Sequence, residues 1–440
     1  MLGARCGQGP SRIIRSKPPS GAALVDNANH LQPIDGFGGS GAFQTPPGWS
    51  TTSADHFFTT LGLGIFRTEL STQFTPSIQG FPLVSLISGP NGAGDFSSEL
   101  QAYSRGCRKF LLSVWINAVD TTGGPWPWNS GGANSVLDSG HYTDACTAIT
   151  TFFTNAIAAG LTGCQFYVSP ANEPDITPSY AQTSWSTAQL VAFVKNNLGP
   201  AIATWASSNP TQLKPKIVVG ETAFFSSLAT WIAAFEADST ALAFVDYYAT
   251  HQYSGGAVSA PPSTISRPIW ETECSGQDGF DSSMTNGMTV AGWIHNALVT
   301  GKVQAWLWWV FESDEDTTNG GLIGSTGTPA ILTKRSYVLG QWSAFIPSGS
   351  TRITVSGAPS GVNVTAFRRP DNRLVIVCVN TNGSSTAITF SMNAIGVISV
   401  VPWITDASHN LAAQSVVAVV DGVFSATLGA SSVTTFAGGP

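Results

Sequence analysis

The chain runs to 440 residues, room for one large core and a smaller second one. Its net charge is −7 and only 10% of its residues are charged, against about a quarter in ordinary soluble proteins. The 19 thinly scattered Lys and Arg argue against nucleic acid as the partner; no apolar run approaches the roughly 18 residues that cross a bilayer, and no membrane partner is expected.

Gly, Ser, Thr, Asn and Ala replace the missing charge. That composition suits a plain low-charge protein or an extracellular enzyme meeting an uncharged polymer. Residues 1–20 carry Arg5, Arg12, Arg15 and Lys17 but no apolar stretch of signal-peptide length. They read as a disordered extension, and a secreted protein is expected although no signal is visible. The six cysteines are too irregular for a zinc site or a CxxC redox motif. Six thiols allow 15 pairings; Cys146 and Cys164, flanking one helix, are a candidate pair.

Residues 21–33 are strand-like and are expected to join a C-terminal β-domain. From residue 34 to 347, short apolar runs alternate with helical stretches. The predicted strands are Ile34–Gly38, Ile65–Leu70, Phe110–Asn117, Gln165–Ser169, Ile217–Glu221, Val245–Tyr253, Pro268–Cys274 and Gln304–Phe311. Helices are expected at about Ser53–Leu61, Ser97–Arg108, Tyr142–Ala159, Ser186–Ser207, Phe225–Ala237, Met288–Thr300 and Lys334–Phe345. Ser97 and Ser186 have the look of N-caps, each with Glu or Gln soon after. Eight strands in β-α alternation, without strict polar alternation, fit a (β/α)8 TIM barrel. A doubly wound sheet would want a GxGxxG turn after its first strand, and Gly36-Phe-Gly-Gly-Ser-Gly41 lacks that register. From 348 to 440 the texture changes to short alternating runs about ten residues apart, Arg352–Ser356, Val364–Arg368, Leu374–Asn380, Ala387–Met392, Ile398–Ile404, Gln414–Val420 and Val433–Phe436, the pattern of a side β-sandwich domain.

Two apolar runs end abruptly in an acid: Phe166-Tyr-Val-Ser-Pro-Ala-Asn-Glu-Pro174 on the fourth strand and Pro268-Ile-Trp-Glu-Thr-Glu-Cys274 on the seventh. A parallel barrel presents its chemistry at the carboxyl ends of its strands. Two carboxylates delivered there are the minimum for cleaving a glycosidic bond. Glu173 and Glu273 are therefore the candidate catalytic pair. Glu271, two residues before Glu273, is expected on the same face but one layer deeper or in contact with a neighbour. Glu69 is read as an ion partner of Arg67, and Glu221 as either functional or a brace. Asp314, Glu315 and Asp316 read as a solvated turn rather than a metal loop, and no metal or cofactor is expected. Aromatic groups suit the apolar faces of sugar rings. Trp115, Trp126 and one of Trp308 or Trp309 are expected in the cleft, with Trp306 in the core and Asn172 on a sugar hydroxyl.

Gln32-Pro-Ile-Asp-Gly-Phe-Gly-Gly-Ser-Gly41, Asn172-Glu-Pro174, His251-Gln-Tyr253, Trp270-Glu-Thr-Glu273 and Lys334-Arg-Ser-Tyr-Val-Leu-Gly-Gln-Trp342 together resemble glycoside hydrolase family 30, in clan A of the barrel glycosidases. The resemblance runs from about residue 22 to the end. It implies a retaining mechanism, with Glu173 as acid/base, Glu273 as nucleophile, and Arg67, Asn172, Tyr253 and Trp115 around the nucleophile and its sugar. Within the family the residues around Gly36 resemble most the xylan-cleaving branch. The implied activity is that of a β-1,4-xylanase, an endo-enzyme or a xylobiohydrolase; a monomer is expected. The loops 43–50 and 312–319 lack Lys and Arg, so no clamp for a glucuronic acid side chain is expected. The alternatives are β-1,6-glucanase, β-1,6-galactanase or another β-glycosidase of the family, or a non-catalytic carbohydrate-binding barrel.

Overall fold

The structure, a computed structural model, describes residues 18–42, 50–71, 96–115, 137–177, 184–276, 278–313, 318–324, 331–393 and 396–439. The expectations for residues 1–17, for Trp126, for Asp314, Glu315 and Asp316, and for most of the loop 43–50 lie outside these.

In chain order the first nine strands are β1 (Ala23–Ile34), β2 (Gly36–Ser40), β3 (Ile65–Ser71), β4 (Lys109–Trp115), β5 (Gln165–Ser169), β6 (Lys216–Thr222), β7 (Val245–His251), β8 (Ile269–Cys274) and β9 (Ala305–Trp308). Strands β2 to β9 close into a parallel barrel, with β9 beside β2. Apolar runs buried on both faces explain it. Phe66, Phe110 and Phe166 lie side by side on β3, β4 and β5 with ring centroids 5.9 and 6.1 Å apart, packed in the core shared with the helices. Leu111 and Tyr167, one residue further on, join Ile65, Val218, Tyr247, Ala249, Trp270, Ala305 and Leu307 in a separate plug filling the barrel. The glycines of β2 make room instead of binding phosphate. A Cβ on Gly39 would sit 2.6 Å from the Phe311 ring.

Register slips in three barrel strands, in β7 where Asp246 is the extra residue between Val245 and Tyr247, and in β6 and β8. β6 has a register shift between Gly220 and Thr222, and β8 pairs irregularly between Glu271 and Cys274. A bulge inserts a residue and re-aims the side chains beyond it.

The helices follow the expected order. Tyr142–Ala158 buries Ala145, Ile149, Phe152 and Phe153 against the barrel. Ser186 caps its helix in a reciprocal capping box with Gln189. Ser97, expected as a cap, is instead the first helical residue, and Phe96 precedes it without a side-chain bond. Among the described residues, no helix is long and apolar enough to cross a membrane.

β1 inserts between strand Ser350–Ser356, antiparallel, and strand Thr386–Met392, parallel, in a ten-stranded sheet. That sheet curls over a core in which the Phe390 ring lies 4.9 Å from Phe424 and 5.7 Å from Phe436. Strand Val423–Leu428 in it was not anticipated from the sequence. The expected run Gln414–Val420 reduces to two short pieces, Ala412–Ala413 and Val417–Ala418. Helix Lys334–Ser343 seats the barrel on this sheet: Gln341 Nε2 donates to Thr405 Oγ1 at 2.8 Å, and Thr435 Oγ1 donates to the Gln341 carbonyl at 2.7 Å. Cys107, Cys146, Cys164, Cys274 and Cys378 are buried free thiols, so the candidate pairing of Cys146 with Cys164 is not made.

Candidate active site

Arg67 organises the mouth of the barrel. It lies in register beside Leu111 and Tyr167, two residues that fill the plug, so its strand aims it inward. The guanidinium is fully buried and its donors divide three ways. Nε donates to Ser113 Oγ at 2.9 Å and Glu221 Oε1 at 3.2 Å, Nη1 to Glu273 Oε2 at 2.5 Å, and Nη2 to Asn172 Oδ1 at 2.9 Å. Its ion pairs thus go to Glu221 and Glu273 and not to Glu69, contrary to the reading from the sequence. Trp115 and Trp309 cover it, with its Cζ 4.6 and 5.6 Å from their ring centres. Although burial opposes its charge, the Glu221 and Glu273 carboxylates hold the guanidinium pKa above its usual value.

Glu273 meets Arg67 because of the bulge in β8. Strict alternation would place Glu271 and Glu273 on one face; the structure separates them. Glu271 lies in register with Trp306, a residue of the outer core. Its Oε1 accepts the Glu273 N–H at 3.1 Å and its Oε2 the Leu307 N–H at 3.2 Å. Burial favours its neutral form, pushing its pKa well above the carboxylate range. Beyond the bulge, Glu273 accepts from Arg67 on one oxygen and from the Tyr253 hydroxyl on the other. Tyr253 stands in a short turn immediately beyond β7. Burial pushes Glu273 up; the charges of His251 and Arg67 pull it back without cancelling the rise.

Glu173 follows β5 in Ala-Asn-Glu-Pro. Its φ of +48° is left-handed, and its N–H donates to the Glu221 carbonyl at 2.8 Å. It is buried, as is Asn172 beside it. Its Oε1 is 2.9 Å from His251 Nδ1, while His251 Nε2 is 3.7 Å from Glu273 Oε2. His251 therefore stands between the two carboxylates. Burial disfavours its charge, but the Glu273 carboxylate and the bond to Glu173 outweigh that and raise its pKa to about 9. One atom each of Glu173, His251 and Glu273 lie within 4.8 Å of one another. That spacing would also suit a cation, but Arg67 and a protonated imidazole already supply the positive charge. The arrangement is equipped for proton transfer and nucleophilic attack.

The structure brings Glu173, Glu273, Arg67, Asn172, Tyr253, Trp115 and Trp309 together. Trp309 is half-buried, its ring centre 6.3 Å from that of Trp115. Trp308 does not join them. It is fully buried beside Trp306 in the outer core, with its indole N–H donating to the Gly320 carbonyl at 2.8 Å. Successive residues of a strand face opposite ways, so only one of the two tryptophans could reach the mouth. Sequence reasoning missed His251, although the His-Gln-Tyr string at the end of the sixth barrel strand was its signal.

Residues 349–436 match the glycosyl hydrolase family 30 beta sandwich domain. The chain is 28% identical over 285 residues to the glucuronoxylanase XynC of Bacillus subtilis (strain 168), a match covering 62% of this chain and 60% of that protein. It thus spans about 60% of the length of the curated relatives it matches. A family 30 endoxylanase from Clostridium papyrosolvens C71 superposes with a TM-score of 0.74 at 26% identity, covering 95% of this chain and 100% of that one. The catalytic domain of the family 30 xylanase C from Talaromyces cellulolyticus gives 0.79 at 22% identity, with 95% and 100% covered, a likeness of fold. With a closed barrel, a sandwich threaded by an N-terminal strand, and these sequence matches, the chain is similar throughout to the glycoside hydrolase family 30 xylanases, and its residues 349–436 match that family's beta sandwich domain.

Proposed function

We propose that the chain is a retaining glycoside hydrolase that cleaves β-1,4-xylosidic bonds in xylan. The observation that carries the reading is the closeness of two buried carboxylates at the ends of the fourth and seventh barrel strands, with oxygens within 4.8 Å. Retaining enzymes hold the pair about 5–5.5 Å apart, whereas inverting enzymes leave about 6.5–9.5 Å for a water. Glu273, held by Arg67 and Tyr253, attacks the anomeric carbon. Glu173, hydrogen-bonded to His251 Nδ1, gives its proton to the leaving oxygen. The glycosyl-enzyme then waits for a water that Glu173 deprotonates, and the sugar leaves with its configuration restored. Asn172, its oxygen engaged by Arg67, offers its amide N–H2 to a sugar hydroxyl, and Trp115 and Trp309 offer ring surface.

Xylan as the polymer is supported by the similarity to proteins described as xylanases. Independence from glucuronic acid side chains is a finer proposal, motivated by the absence of Lys and Arg from residues 43–50 and 312–319. The Bacillus subtilis relative is named a glucuronoxylanase, which makes this the point to test. Secretion is proposed on the same footing, since a polymer of this size is met outside the cell. Sugar release from glucuronoxylan, from linear xylan, from β-1,6-glucan and from β-1,6-galactan decides the matter. The reading predicts comparable rates on both xylans and little on the β-1,6 polymers. Release from glucuronoxylan alone would remove the claim of independence, and release from none would make the barrel a binder.

A further inference from the structure

We infer that Glu221 positions both catalytic carboxylates, reaching the nucleophile through its side chain and the acid/base through its backbone. The inference rests on the retaining-hydrolase reading above.

Glu221 is fully buried at the end of the fifth barrel strand, at the site of the β6 bulge. Gly220 and Glu221 both have positive φ, +100° and +43°. At Gly220 a Cβ would lie 2.7 Å from the Ala249 carbonyl oxygen, so the turn requires glycine there. At Glu221 the left-handed backbone is held by a residue that rarely adopts it. Such strain persists where the surroundings over-determine it, and it gathers at functional sites.

Two connections leave this residue. Its carboxylate takes the Arg67 Nε on Oε1 at 3.2 Å and the Ser113 hydroxyl at 3.1 and 3.0 Å on its two oxygens. A guanidinium fixed at Nε cannot roll about its stem, so Nη1 stays aimed at Glu273 and Nη2 at Asn172. Its carbonyl accepts the N–H of Glu173, which is itself left-handed. One strained residue thus sets the angle of the nucleophile's partner and the place where the acid/base leaves its strand. A pair serving the fold alone would have no need of a bulge, a left-handed glutamate or a bond to the Glu173 backbone.

The charge has a direction as well. Arg67 is shared between Glu221 and Glu273. Removing the Glu221 charge leaves the whole guanidinium to Glu273, whose ionised form is then favoured more strongly.

The test compares wild type with Glu221→Gln, which removes charge and keeps size, and Glu221→Gly, which removes the side chain, relieves the backbone and keeps the carbonyl. Steady-state kinetics on xylan fragments is paired with a 13C NMR titration of the Glu273 carboxyl, assigned against Glu273→Gln. The inference expects kcat of Glu221→Gln to fall about 10- to 100-fold, with KM changed less than about threefold, and Glu273 to titrate at lower pH. Glu221→Gly is expected to lose turnover similarly while melting no earlier than Glu221→Gln. A folded Glu221→Gln with kcat within about twofold of wild type and an unmoved Glu273 titration would overturn it; a mere brace would lower only the melting temperature. A wild type that cleaves no polymer would remove the hydrolase reading, and the NMR titration would still decide what Glu221 does to Glu273.

Discussion

As the proposed nucleophile, Glu273 would attack only as a carboxylate, and its surroundings disagree about that state. Burial favours the protonated form; His251, Arg67 and the Tyr253 hydroxyl favour the ionised one, and burial prevails in the net direction. Since the active form is the one lost as pH falls, the acid limb of the pH–activity profile is expected above the ordinary glutamate value of about 4.3. Initial rates from pH 3 to 9 check this, and a limb below that value would contradict it. Glu173→Ala is expected to lower kcat about 10²- to 10⁴-fold. Glu273→Ala is expected to lose at least as much, with both variants melting near the wild type. These residues were legible because each closes an apolar run with an acid. Their surroundings were less so. Arg67 was read beside Glu69, its neighbour on the strand, whereas the barrel brings it to residues 154 and 206 positions away.

At the scale of elements, the strands were legible wherever their periodicity was uninterrupted. Gln165–Ser169 and Leu374–Asn380 have the predicted bounds. The bulges in β6 and β8 were not legible, because a bulge is fixed by the register of neighbouring strands. For that reason Glu271 was expected on the face of Glu273. In the structure it accepts the N–H groups of Glu273 and Leu307 beside the bulge. Strand Val423–Leu428 escaped notice because Ser, Ala and Thr dilute its alternation. The tryptophans of β9 and the residue after it give a direct test of which side each faces. Trp308→Ala, a core deletion, is expected to cost about 3–5 kcal/mol of stability, read by denaturant unfolding. Trp309→Ala is expected to leave stability nearly intact and weaken binding by about 1 kcal/mol, or roughly fivefold in KM. Exchange of those two phenotypes would reverse the assignment.

At the scale of the whole molecule, β1 ties the two halves together. It enters a sheet whose other strands all come from the C-terminal quarter of the chain, and leads directly into the first barrel strand. The first barrel stave thus follows, one residue on, a strand held in the C-terminal sheet. Low charge, a barrel mouth carrying two acids, and rings over Arg67 all suit a neutral sugar polymer. Retention depends on the short gap between Glu173 and Glu273, which leaves no place for a water between the sugar and the proposed nucleophile. The most direct test follows the anomeric proton of the first product by 1H NMR during hydrolysis of a β-xylo-oligosaccharide, before mutarotation. The β-anomer must accumulate first; initial release of the α-anomer would contradict the account.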